Sequence, residues 1–515
     1  MSSITSAGLA SAVLLAVPFL HPGFFALAWV AFVPLFWALE RCSGARQAAL
    51  VGWLMGTTAH LIGFYWLVYT IRVFGGFPYP ASAAIFFVYA LLQGLQLALF
   101  SAIVRWTGSG PAALLPALFW VVLEFFFPSL FPWYLANSQS SFSTFIQTAD
   151  LTGPYGASFI VMWVNTVLYE TARSFRSGRK IRWAPLAAAA GFVIASVVYG
   201  TQRLALVSSA IASAPKLSVA AVQGNIGIDL KWNPSLVREN LSAYRTLSQQ
   251  LDGTRLIIWP ESAVEEWVPE GLAKLPPEVM PPLKNEKYFF IFGARSFRGK
   301  LFGTGFQAFN TAFLADGNGR IIDLYHKQVL LAFGEYIPFS GLLSKLPGLP
   351  FADGFTPGKG PKAFKVGDEV RVGPLICYED LMPGVTRLFV KDKGANLLVN
   401  LTNDAWYGRS VAPWQHATLS RWRAIETRRT LLRATNTGVT ALIDAKGDIE
   451  QHLPLFVPQV LRAKAAILEG ETIYVRFGDW FAWCAVLLFG VGSLWVSRNR
   501  ESGHRGLLDT RPGGA

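Results

Sequence analysis

The chain has 515 residues, 52% of them hydrophobic and only 15% charged, against roughly 25% charged in an average soluble domain. That balance excludes an intrinsically disordered chain and argues against a fully soluble one. The net charge of +13 is spread over loops rather than gathered in an aromatic-interleaved stripe, which argues against nucleic-acid binding. Three cysteines, at 42, 377 and 484, give neither a disulfide framework nor a CxxC metal spacing.

Residues 1–206 read as a transmembrane domain of about seven helices. The spans fall near 7–21, 24–40, 48–68, 82–104, 112–128, 155–172 and 184–206, since about 20 apolar residues cross a bilayer core. The opening segment lacks a basic region and runs at once into further spans, so a cleaved signal peptide is the weaker reading. The loop 131–153 (FPWYLANSQSSFSTFIQTADLTG) is expected to lay its aromatics in the membrane interface. Glu124 is a carboxylate near a span end and a functional candidate without an assigned role; Glu40 and Glu170 read as solvated charges. An eighth span is expected at 479–497, with a disordered tail over 498–515. With the N-terminus inside, the inner loops hold Arg41, Arg46, Arg105, Arg173, Arg176, Arg179, Lys180 and Arg182, and the outer loops before residue 203 hold only Arg72. The positive-inside rule therefore directs both termini to the cytoplasm and residues 207–478 to the far side.

Residues 207–478 read as an α/β domain. Short apolar runs bounded by Gly, Pro, Asn and Asp predict strands at 217–222, 255–259, 288–292, 306–314, 320–324, 371–376, 396–401 and 438–444. Helices are predicted over 233–251 and 413–432. Alternating strands and helices imply sheets covered by helices.

Cys377 follows the strand VRVGPLI and precedes the predicted start of a helix. A strand-to-helix turn exposes a side chain at a sheet edge, as in a nucleophile elbow, and a helix N-terminus favours thiolate. The competing reading is a small buried hydrophobe, which is what most free cysteines are. A thiolate needs a base and an oxyanion partner. Glu261 in WPES and Lys327 in YHKQ stand just past strand ends, and Glu335 follows in FGEYIPF. Taken singly these are ordinary loop charges; His326 reads as structural. The segment 339–355 (FSGLLSKLPGLPFADGF) is apolar and rich in Gly and Pro, which suits either a mobile lid dipping toward lipid or a loop packed on the core.

In order, WPES, YHKQ…FGEYIPF and ICYED, spaced 66 and 50 residues apart from Glu261 through Lys327 to Cys377, resemble the nitrilase (carbon–nitrogen hydrolase) superfamily. With seven spans before the domain and one after, the chain resembles the superfamily's membrane-embedded acyltransferase branch. The resemblance implies an αββα sandwich with Glu261 as general base, Lys327 as stabiliser of the tetrahedral intermediate and Cys377 as nucleophile. It implies supporting roles for Glu335, Tyr378, Glu379, Trp232 and Asn310. Glu335 would either fix Lys327 or tune Glu261. It further implies ping-pong transfer of an acyl chain from a phospholipid, through a thioester, to the amino-terminal diacylglyceryl-cysteine of a lipoprotein. The setting would be the bacterial inner membrane with the catalytic domain on its periplasmic side, and no metal or organic cofactor is needed. The alternatives are a membrane-tethered amidase or nitrilase acting on a small substrate, and a non-enzymatic transporter or receptor. A low-pKa thiol at Cys377 would separate enzyme from binding protein by fast alkylation near neutral pH.

Overall fold

The computed structural model describes residues 2–110, 113–284, 287–338 and 354–508. Most of the segment expected as a lid or core loop, residues 339–353, lies outside them.

Among the described residues, five helical runs are long and apolar enough to cross a membrane: Ser3–Leu20, Pro22–Arg41, Tyr79–Thr107, Trp183–Ser213 and Trp480–Asn499. A sixth is a broken pair, Ala45–Gly63 and Leu67–Gly75, bent by 70°. The unbroken span expected at 48–68 therefore gives way at Phe64–Trp66. There the Trp66 indole leaves the bundle, donates to Gln415 Oε1 at 2.8 Å and packs on Phe131 and Tyr407. The spans expected at 112–128 and 155–172 appear as Leu115–Phe126, only 12 residues long, and Pro154–Arg176. The latter carries a buried Asn165 that accepts from Phe32 N at 2.8 Å and donates to Ala28 O at 2.9 Å. Those bonds satisfy the backbone where Pro22–Arg41 passes from 3-10 to α-helix, as an apolar environment requires. Two helices approach closely at small residues: a Cβ on Gly56 would stand 2.9 Å from Gly94 Cα. The last helix spans Trp480–Leu508.

Beyond the bundle, thirteen strands among the described residues form two sheets. In chain order they are β1 Lys216–Gln223, β2 Leu256–Ile258, β3 Val264–Pro269, β4 Phe289–Arg298, β5 Gln307–Asp316, β6 Ile321–His326, β7 Phe364–Val366, β8 Val370–Ile376, β9 Leu397–Thr402, β10 Leu431–Thr435, β11 Ala441–Ile443, β12 Ile449–His452 and β13 Gln459–Ala466. One sheet runs β13-β1-β2-β4-β5-β6, with β3 also on β4; the other runs β12-β11-β10-β9-β8-β7. Strand alternation builds the layers. Val219, Ala221, Leu256 and Ile258 face the core shared with Val372, Leu375 and Leu431 of the second sheet. Ala220, Val222 and Ile257 face the opposite way, onto Tyr244 of the helix Val237–Ser248. This is the α/β architecture expected, with helices outside two facing sheets.

The helix Ala412–Thr427 covers the second sheet and also enters the membrane bundle. Ala417 and Ala424 belong to the sandwich core, whereas Trp422 and Ile425 belong to the bundle core with Phe145 and Ile146. Trp422 donates to Ser140 Oγ at 2.9 Å, and Arg428 pairs with Asp150 at 2.7 Å. The loop 131–153 is thus not an aromatic belt in lipid; residues 135–140 and 145–150 are buried beneath the α/β domain. Glu124 anchors that loop by accepting from Leu135 N, Ser158 Oγ and Trp120 Nε1.

The helix predicted over 413–432 stops at Thr427. Arg428 takes φ +51°, which ends the helix, and Leu431–Thr435 joins the sheet parallel to β9. TLLRAT continues the apolar pattern of the helix, so periodicity alone could not separate it from a buried strand. The helix predicted over 233–251 is likewise shortened to Val237–Ser248, since Pro234 and an Asn233 turn precede it.

Candidate active site

Three strand ends converge. Glu261 lies three residues past β2, Lys327 directly follows β6, and Cys377 directly follows β8. Glu261 sits in a tight crossing against β4, where a Cβ on Gly293 would meet Glu261 Cα at 2.7 Å. Cys377 has φ +51° and opens a five-residue 3-10 turn, Cys377–Leu381. A non-glycine residue in that region costs on the order of 1–3 kcal/mol and persists only where its surroundings fix it. Here Asn400 Nδ2 donates to Cys377 O at 2.9 Å, and Ile376 N donates to Glu379 at 2.9 Å.

The three side chains are almost closed off from solvent: Cys377 and Glu261 are 8% exposed and Lys327 1%. Lys327 Nζ lies 2.6 Å from Glu335 and 3.9 Å from Glu261. Asn310 Nδ2 donates to Glu261 at 2.8 Å and to Glu335 at 2.7 Å, and its carbonyl accepts from Lys327 N. Leu331 N also donates to Glu335 at 2.8 Å. The Asn310 amide therefore joins the two carboxylates, and Glu335 in turn holds the Lys327 ammonium. The Glu261 and Lys327 charges both act on the Cys377 thiol.

Burial pushes the Cys377 thiol well up, and the nearby Glu261 adds to it; Lys327 acts in the other direction without reversing the shift. The expectation of a low-pKa thiol at a helix N-terminus is corrected, because burial and a facing carboxylate outweigh one ammonium and a short turn. Glu261 is raised by burial first, with Lys327 opposing and Glu335 adding. Burial works against the Lys327 charge, but Glu335, Cys377 and Glu261 raise it and keep it an ammonium. The site thus holds a neutral thiol beside a carboxylate made more basic than usual, with a fixed positive charge next to both.

The supporting residues divide. Asn310 and Glu335 touch the cluster. Glu379 is fully buried and accepts from Ile376 N, Gln328 N, Val329 N and Tyr325 Oη, which ties the Lys327 strand end to the Cys377 turn. Burial pushes it up to about 7. Tyr378 turns toward the membrane bundle, donating to Leu130 O and packing edge-on against Phe131 at 6.0 Å. Trp232 stands between Arg295 and Lys231, with its backbone N–H on Glu265, and shares no hydrogen bond or ring contact with the three central side chains. His326 bonds Thr311 and Glu270 and stacks on Phe309, a structural position.

Sequence reasoning missed the layer beneath the thiol. Thr402 and Asn400, both buried on β9, lie in this layer, and Asn400 holds the Cys377 carbonyl. Asp380 accepts from Arg433, Ser420 and His416, and His416 also meets Asp404 at 2.9 Å. The signal was the polar run NLTND closing an apolar strand. Among the described residues, no group of three or more His, Cys, Asp or Glu could hold a metal ion.

Residues 11–167 match the family described as apolipoprotein N-acyltransferase N-terminal domain, and residues 218–465 match carbon-nitrogen hydrolase. A Geobacter metallireducens protein named apolipoprotein N-acyltransferase is 34% identical over 96% of this chain and 95% of its own. One of the same name from Haemophilus influenzae is 30% identical over 85% of this chain and 84% of its own. Among solved structures, an amidase from Nesterenkonia sp. is 18% identical, covers 52% of this chain and 94% of its own, and has a TM-score of 0.34.

Proposed function

The chain belongs to the apolipoprotein N-acyltransferase family, and from that premise we propose that it moves an acyl chain from a phospholipid to the α-amino group of the diacylglyceryl-cysteine at a lipoprotein N-terminus. The observation that carries this reading is the position of the thiol. It lies near enough to Glu261 and Lys327 for their charges to act on it, while the next residue, Tyr378, donates to Leu130 O in the loop that leaves the helix Leu115–Phe126. A nucleophile at that junction suits substrates whose acyl chains stay in the bilayer, since withdrawing them costs about 0.8 kcal/mol per CH₂. A small soluble amide would need no such seam.

In this reading Glu261 accepts the Cys377 proton as sulfur attacks the ester carbonyl of the donor, phosphatidylethanolamine in the simplest case. The Lys327 ammonium stabilises the oxyanion, held by Glu335 and Asn310. Collapse breaks the ester C–O bond, Glu261 returns its proton to the leaving lyso-phospholipid, and Cys377 carries a thioester. The lipoprotein amine then attacks, Glu261 takes an amine proton, and the C–S bond breaks with that proton restoring the thiol. The finer topology belongs to the same proposal: about eight spans, cytoplasmic termini, and the α/β domain on the periplasmic face of the inner membrane.

Intact-mass measurement of the purified protein after incubation with phosphatidylethanolamine of known chains tests it. Wild type should gain one acyl group, removable by hydroxylamine, absent from Cys377→Ala and discharged by a diacylated lipopeptide. A folded wild type that gains nothing sinks the reading.

A further inference from the structure

Beside Glu261 lies a second charged cluster that the transfer chemistry above does not use. Lys231 is 3% exposed, and its Nζ has no hydrogen-bond partner among the described residues. Arg295, half-buried, likewise has an unpartnered Nε. Both cations flank one ring: Arg295 Cζ is 4.2 Å and Lys231 Nζ 5.7 Å from the centre of Trp232, and Arg295 also lies 4.8 Å over Trp267. The nearest acid does not serve them. Glu265 spends its carboxylate on Trp232 N at 2.9 Å and Asn240 Nδ2 at 3.0 Å, and Arg295 reaches only its backbone oxygen. Neither cation forms an ion pair within 4.0 Å of any described carboxylate.

Two like charges held around one ring with unused donors are costly unless an anion joins them. Burial and Arg295 both push Lys231 down, to about 8, against the pull of Glu265 and Glu261. The half-buried Trp232, Trp267 and Arg295 form the outer side and Lys231 the floor.

We propose that Lys231 and Arg295, across Trp232, form the subsite for the phosphodiester of the lipid donor, next to the reacting ester. The assignment rests on the acyl-transfer reading. A phosphodiester supplies the delocalised oxygens that a guanidinium and an ammonium bind together, and it is the one obligate anion of a phospholipid substrate. The lipoprotein acceptor's diacylglyceryl group has none.

The test measures the rate of thioester formation on full-length protein in detergent. The donors are phosphatidylethanolamine and a neutral diacylglycerol with the same chains, with inorganic phosphate as a third arm. Wild type should load faster from the phospholipid. Lys231→Met, close in shape, and the half-exposed Arg295→Gln should each slow phospholipid loading about tenfold or more, the loss of a hydrogen bond to a charged group, and leave diacylglycerol loading unchanged. Inorganic phosphate should slow only the phospholipid reaction, by competition, and weakly. Equal slowing with both donors would make the pair part of the chemistry or the fold and overturn the subsite, as would no change with either. Strong inhibition by free phosphate without any donor preference would assign the site to a free anion instead. A wild type that loads from neither donor would remove the acyl-transfer reading, and the subsite with it.

Discussion

Lys327 and Glu335 meet at 2.6 Å in a site where the lysine is 1% exposed. The carboxylate also accepts from Asn310 and from Leu331 N, so it holds the ammonium in one place rather than merely neutralising it. Glu335→Gln keeps the shape and removes the charge. Its expected cost is about tenfold to a hundredfold in transfer rate, the worth of a charged hydrogen bond, together with a lower unfolding temperature, since the buried ammonium loses its nearest anion. A variant as fast as wild type would mean that Lys327 is positioned without it.

The raised thiol gives a pH signature. Cys377 should react slowly with iodoacetamide near pH 7 and faster as the pH climbs, because burial and Glu261 both disfavour thiolate. Glu261→Gln removes the repelling charge and leaves Lys327 nearby, so its alkylation profile should move to lower pH. The same variant should lose acyl transfer by roughly 10²–10⁴-fold, the usual contribution of a general base. Opposite directions in the two readouts are the diagnostic; a profile that moves upward would contradict the arrangement.

His416 should make stability depend on pH. Burial disfavours its charge, but Asp380 and Asp404 outweigh burial and Arg433 and push it up to about 9. A folded value above the ordinary 6.5 gives stability that is complete below pH 6.5 and lost as pH rises through about 9. Thermal unfolding in detergent should fall between those limits by on the order of 5 °C. His416→Gln should start lower and show a flatter dependence.

Gly293 tests the crossing beneath Glu261. Gly293→Ala brings a methyl group to 2.7 Å from both Glu261 Cα and Ser262 N, and backbone cannot swing aside as a side chain can. The variant should retain its membrane helices but lose at least tenfold in transfer, in line with the cost of a 1 Å misplacement. Full activity would mean that β4 shifts freely.

The strand ends were legible because each apolar run stops at a polar residue: RLIIWPE, IIDLYHK and GPLICYE announce both the strand and what it presents. The partners of those residues were harder. Asn310 lies mid-strand in β5, where alternation marks a side chain's face but not the two carboxylates it joins. The thiol's environment could not be read at all, since it depends on Glu261 and Lys327 at strand ends of the other sheet. Composition likewise announced apolar helices but not their breaks. Trp66 bends its span through a bond to Gln415, a partner 349 residues distant.

The helix Ala412–Thr427 has a further consequence. Because Trp422 and Ile425 are packed into the bundle while Ala417 and Ala424 serve the sandwich, the proposed nucleophile Cys377 is held at a fixed height relative to the bundle helices. On the proposed acyl transfer, substrates arrive by lateral diffusion, and turnover should follow their mole fraction in the membrane rather than their concentration in bulk. Diluting the donor with an inert lipid at constant total amount becomes equivalent to diluting a substrate in solution.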